Sequence, residues 1–117
     1  MRQTHLFIGI IGMLFATFIF APQVHSADSF TLTTEVVEGK NVWLPATLTV
    51  HKGSDVTITL TNLSPKEHGF AVDELGVKEI LPIGTTKTIT LKPTASGAVK
   101  YYCPLHPSHI GGQLLVQ

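Results

Sequence analysis

The sequence predicts an all-β domain, an antiparallel Greek-key sandwich or barrel of about seven strands. Three observations point there. Threonine alternates with aliphatic residues in several short runs, the period-2 pattern of a half-buried strand. Clusters of turn-forming residues separate those runs at intervals of roughly 8–12 residues. No segment longer than about ten residues keeps helical periodicity without a Gly or Pro breaking it, so helix is minor.

The chain begins with a segment outside that domain. Arg2 gives a short positive region, Leu6 to Phe20 is almost wholly apolar, and Ala21-Pro22-Gln23-Val24-His25-Ser26-Ala27 has the turn and small residues of a secretory signal. Residues 1–26 read as that signal, cleaved after Ser26, with Val24 and Ser26 as the small residues the peptidase reads. The rival is a retained membrane anchor, for which the apolar run is slightly short of the about 20 residues a spanning helix needs. No cysteine lies near this segment to be lipidated. Cleavage leaves a single small domain, 27–117, that is periplasmic or secreted and free of the membrane.

The domain elements follow in order. Phe30 to Val37 is rich in β-branched residues and ends at the turn Glu38-Gly39. Thr47–Val50 and Val56–Thr61 alternate, and His51-Lys52-Gly53-Ser54-Asp55 between them has the composition of a hairpin turn. Asn62 to Lys66 is a polar loop, and Asp73 to Pro82 a longer excursion with room for one helical turn. Lys87–Leu91 repeats the alternation, Pro93 to Gly97 turns the chain, Ala98–Cys103 is the next strand and Gln113–Val116 the last.

Composition removes one class of partner. The domain carries seven Lys against eight Asp plus Glu, and its only Arg lies in the leader. No basic stripe remains to neutralise phosphates, which argues against nucleic acid.

The chemistry concentrates near the C-terminus, in Tyr101-Tyr102-Cys103-Pro104-Leu105-His106-Pro107-Ser108-His109-Ile110-Gly111-Gly112. The only cysteine and two histidines stand within seven positions. One soft thiolate and two imidazoles on a proline-stiffened loop are a ligand set that copper and zinc prefer. Export favours disulfides, yet Cys103 has no partner in the chain. An inert buried thiol or an intermolecular disulfide would also account for it; a metal thiolate accounts for the adjacent histidines too. His68, in Lys66-Glu67-His68-Gly69-Phe70, is the upstream candidate, and a sandwich can bring its strand to the same end as Cys103. Glu67 should point to the opposite face of a regular strand. His51 falls in a turn, and Trp43, Phe70, Tyr101 and Tyr102 read as core or rim packing.

The pattern Cys103-x-x-His106-x-x-His109-x-Gly-Gly, with upstream His68 and a β-rich body, resembles the cupredoxin superfamily, from Trp43–Gly53 to the C-terminus. Gly69–Glu79 together with Cys103–Pro107 is similar to its red-copper nitrosocyanin branch. The resemblance implies a mononuclear copper site in which Cys103 matches the thiolate, His106 the C-terminal equatorial histidine and His68 the upstream one, where nitrosocyanin has Glu. The departure is axial. Both methionines, Met1 and Met13, lie in the leader, and His109 stands where short-loop members carry Met. His109 is either a strong fourth ligand or a loop histidine beside a three-coordinate metal; Gln113 is a remote third candidate. One Cys and three His would also suit tetrahedral zinc. Pro104 cannot donate an N–H to the sulfur, whereas Leu105 can.

The resulting expectation is a copper protein carrying single electrons between redox partners that the sequence does not specify. No additional acid–base pair supports hydrolysis. The alternatives are a nitrosocyanin-like copper enzyme or sensor with an open position for a small molecule, and a copper storage or delivery protein.

Overall fold

The computed structural model describes residues 28–117 together with Gly12; the expected signal and its processing point otherwise lie outside the described residues. Among the described residues no helix is long and apolar enough to cross a membrane. Nine strands are present there: β1 (Asp28–Val37), β2 (Lys40–Leu44), β3 (Thr47–Val50), β4 (Val56–Asn62), β5 (His68–Val72), β6 (Val77–Leu81), β7 (Thr86–Leu91), β8 (Gly97–Tyr101) and β9 (Gly112–Val116), with one 3-10 turn at Asp73–Leu75.

The strands form a four-stranded sheet in the order β2-β1-β4-β7, a three-stranded sheet β3-β9-β8 and a two-stranded ribbon β5-β6. The ribbon joins the second sheet through a bridge between Ala71 and Tyr102, whose N–H groups donate to each other's carbonyls at 2.8 and 3.0 Å. One apolar cluster draws on all three, with Leu32, Ile58 and Leu60 from the first sheet, Val50, Tyr101 and Leu114 from the second, and Phe70 and Leu81 from the ribbon. The all-β class expected from the sequence therefore holds, with four differences of detail.

The sheets are mixed, because β1 pairs with β4 and β3 with β9 in parallel. The turn after β3 is not a hairpin: β3 belongs to the second sheet and β4 to the first, so His51–Asp55 carries the chain between sheets. Alternation reports which face of a strand is buried and not which strand it pairs with. The excursion 73–82 contains the expected helical turn and also β6, and the strand expected to run to Cys103 ends at Tyr101.

At one end of the sandwich the inward positions change from aliphatic to polar. Thr34 follows Leu32 on β1, Asn62 follows Leu60 on β4, and the two are register partners. Both are buried, so their polar atoms need partners. The Asn62 amide donates to the carbonyls of Lys66 and Leu81 at 2.8 and 3.0 Å, and its oxygen accepts the Ser64 N–H at 2.9 Å. That side chain shapes the loop leading into β5, and the candidate site residues gather at this end.

Candidate metal centre

His68 opens β5 and is fully buried. Its Nε2 lies 2.6 Å from Ser64 Oγ. The Ser64 hydroxyl reaches the Lys66 carbonyl at 3.3 Å and accepts the Lys66 N–H at 3.1 Å. The 2.6 Å contact engages Nε2 of His68 with the Ser64 hydroxyl and turns the other ring nitrogen, Nδ1, inward. That Nδ1 faces Cys103 Sγ at 3.8 Å. Burial, and then the neighbouring His109, His106 and Lys66 charges, push the His68 pKa down to about 4, so the ring is neutral and its lone pair available.

Cys103 lies two residues beyond β8, buried and without a disulfide partner. The N–H that reaches its sulfur belongs to Gly69 on β5, at 3.2 Å, and not to Leu105. Position 69 must be glycine for this contact. A Cβ there would stand 2.7 and 2.9 Å from the Pro104 ring and 3.2 Å from the Glu79 carbonyl. The loop carrying the cysteine thus rests directly on β5.

His106 is half-buried, and its Nε2–H donates to the Glu67 carbonyl at 2.8 Å, because a carbonyl can only accept. The His106 ring lies edge-on to His68 with centroids 5.0 Å apart.

His109 is built the other way round. It is 6% exposed, with its ring 4.8 Å from that of His68 and 5.6 Å from Trp43. Its Nδ1 sits 3.0 Å from the Ile110 carbonyl and its Nε2 2.8 Å from Thr34 Oγ1. The carbonyl requires Nδ1–H, which leaves the lone pair on Nε2, against Thr34. Burial lowers the His109 pKa, partly opposed by the Ile110 carbonyl and reinforced by His106.

The four residues singled out in the sequence thus share one end of the sandwich. Their donor atoms are less tightly gathered than their rings: among the described residues no three His, Cys, Asp or Glu side chains stand at metal-holding separation. His68 and Cys103 form the close pair. Glu67 is exposed, and Gln113 lies in β9 opposite Lys100 and Thr47. His51, in its turn, bonds the Asp28 carboxylate at 3.1 Å. Sequence reasoning missed Ser64, Thr34 and the Gly69 N–H. Thr34 carried a signal, being a polar residue in phase with Leu32; Ser64 carried none.

A family model, the cupredoxin-like domain, matches residues 10–116. The chain belongs to that family. Solved structures similar to this cupredoxin-like chain include dithionite-reduced auracyanin from Roseiflexus castenholzii, at 20% identity and a TM-score of 0.63, covering 78% of this chain and 98% of that one. The blue copper oxidase of Nitrosomonas europaea matches at 20% identity and a TM-score of 0.64 over 78% of this chain but 39% of its own length. The metal-binding domain of the Cu(I)-exporting P-type ATPase CopA of Streptococcus pneumoniae D39, with Cu(I), matches at 19% identity and a TM-score of 0.62, covering 74% and 84%. No curated protein matches the chain significantly. The donor types present fit a copper ion: a buried thiol with a buried imidazole nitrogen 3.8 Å from it, and a second histidine ring against the first.

Proposed function

We propose that this protein is an exported mononuclear copper protein that passes single electrons between redox partners. One observation carries the reading: His68 Nδ1 faces the buried Cys103 Sγ at 3.8 Å, and the His106 ring stands edge-on to His68 with centroids 5.0 Å apart. His68 and His106 would bind through Nδ1 and Cys103 through Sγ. His109, the expected fourth donor, would have to give up a hydrogen bond to join them. A trigonal His2Cys set with a weak fourth group is characteristic of electron-transfer copper. The likenesses to the blue copper oxidase and to the exporter's metal-binding domain with Cu(I) support copper over zinc.

When bound, copper would supply a one-electron couple. The chain supplies the rest. Asn62 shapes the loop from which Ser64 fixes the His68 ring, the Gly69 N–H stabilises charge on the sulfur, and burial keeps water from the pair. Export to the periplasm or exterior rests on residues 1–26, and the functional unit is 27–117.

Copper loading with voltammetry tests the reading. The expected result is a coloured Cu(II) form, reversible one-electron cycling, and loss of the charge-transfer colour in Cys103→Ser. A protein that cannot cycle between Cu(II) and Cu(I) would sink it. A second reading, copper delivery, is favoured by the half-buried position of His106 and by the likeness to the exporter's metal-binding domain. It predicts fast Cu(I) transfer to an acceptor chelator, indifferent to redox cycling. A site open to small molecules, the enzyme or sensor reading, would instead change its Cu(II) spectrum on azide titration.

A further inference from the structure

We infer that the Thr34 hydroxyl sets the coordination number of the copper site by keeping the one lone pair of His109 away from the metal. The inference rests on the copper reading above and goes beyond it, since it concerns a residue 75 positions upstream of the histidine it controls.

The argument starts from hydrogen-bond polarity. A carbonyl has no proton to give, so the 3.0 Å contact between His109 Nδ1 and the Ile110 oxygen fixes the proton on Nδ1. A neutral imidazole then has a single in-plane lone pair, on Nε2. Thr34 Oγ1 stands 2.8 Å from it, as a donor. Thr34 is fully buried, and among the described residues its hydroxyl meets no other partner. Releasing Nε2 would strand a buried hydroxyl, which is costly. His68 and His106 have the opposite orientation, with Nε2 held by Ser64 and by the Glu67 carbonyl and Nδ1 left for other contacts.

The surroundings reinforce the clamp. Trp43 covers the His109 ring with an interplanar angle of 39°, and the Ile110 N–H donates to the Asn41 carbonyl at 2.9 Å. Both contacts come from β2, the neighbour of β1, so the hairpin that carries Thr34 meets the His109 ring and the backbone of the next residue together. Thr34 is also the register partner of Asn62, which shapes the loop that fixes His68. Two paired positions on adjacent strands therefore bear on two histidines, Asn62 through the Ser64 loop on His68 and Thr34 directly on His109. Thr34 is a positioning residue: with its hydroxyl on Nε2, a bound copper would be left to His68, Cys103 and His106, and His109 would serve as a packed spacer.

Two measurements test this. In the apo-protein, long-range 1H–15N correlations of the His109 ring should show the Nδ1–H tautomer; an Nε2–H tautomer would overturn the clamp. In the Cu(II) protein, His109→Ala should leave the charge-transfer band and the electron paramagnetic resonance spectrum as in wild type. Thr34→Val, which keeps the shape and removes the hydroxyl, should shift both toward a stronger fourth ligand. Thr34→Ser should restore the wild-type spectrum, and His109→Ala added to Thr34→Val should abolish the shift. A wild-type spectrum that already changes in His109→Ala, or one unmoved by Thr34→Val, overturns the inference. If no copper binds, the functional reading fails, and the tautomer alone decides the clamp.

Discussion

β4 and β5 are separated by one short loop and feed the same core, yet they are buried differently. On β4 the inward Val56, Ile58 and Leu60 are fully buried, while Thr57, Thr59 and Thr61 between them are half-buried and face water. On β5 all five residues are buried. Phe70 and Val72 enter the core, Gly69 lies under Pro104, and Ala71 is bridged to Tyr102. An ordinary sheet strand needs one apolar face. A strand that carries a site must also accept a loop across its back, and it does so here by having almost no side chain there.

The largest expected effect lies on the buried face of β4. Leu60 is fully buried in the centre of the cluster, and Leu60→Ala should cost about 2–5 kcal/mol, the range for truncating a core leucine. Chemical denaturation of the apo-protein reads it. A loss near zero would mean that the two sheets do not share one packed core.

The buried end of β5 should make the apo-protein sensitive to acid. His68 has a folded-state pKa of about 4 against the ordinary 6.5. As pH falls from 6.5 toward 4, the unfolded chain takes up a proton that the folded chain refuses, so stability falls across that window. Fully expressed, the loss is about 3 kcal/mol. His109, also shifted down by burial, acts in the same direction. Denaturation midpoints at pH 7, 5.5 and 4.5 should decline steadily; a flat profile would mean that His68 is reached by water when folded.

The back of β5 comes next. Gly69→Ala places a methyl group 2.7 Å from the Pro104 ring. A proline ring cannot swing aside, so the loop or the strand must shift. The expected cost is about 1–3 kcal/mol, as for overpacking elsewhere. Because the Gly69 N–H reaches Cys103 Sγ, the copper charge-transfer band should move as well. A stable variant with an unmoved band would show that the loop does not rest on β5.

The sequence shows β4 clearly and β5 poorly for this same reason. Alternation of Thr with Val, Ile and Leu marks a strand with one wet face, and that half of the fold was legible. His68-Gly69-Phe70-Ala71-Val72 has no such alternation, and β6 was hidden inside what read as an excursion. The ligand-type residues were legible as chemistry, because one Cys and three His are rare enough to stand out. Their protonation was not. It depends on Ser64, Thr34 and two backbone carbonyls that the fold brings close, and nothing in the spacing of Cys103, His106 and His109 separates a histidine that offers Nδ1 from one that has given it up.

The smallest expected effect sharpens the contrast most directly. Thr59 has the same standing on β4 that Gly69 has on β5, an outward residue between two inward ones. Its hydroxyl lies 3.5 Å from that of Thr88 on the neighbouring strand, in an exposed position, too long for a strong O–H···O bond. Thr59→Val keeps the β-branched shape and loses only that contact, so stability should change by no more than about 0.5 kcal/mol. Water can take over whatever the hydroxyl of Thr88 loses. Set beside Gly69→Ala, it compares one added or exchanged methyl on two outer faces, one open and one covered. Equal losses from the two variants would mean that β4 is covered on both sides as well, and that the closed back of β5 is no mark of the site.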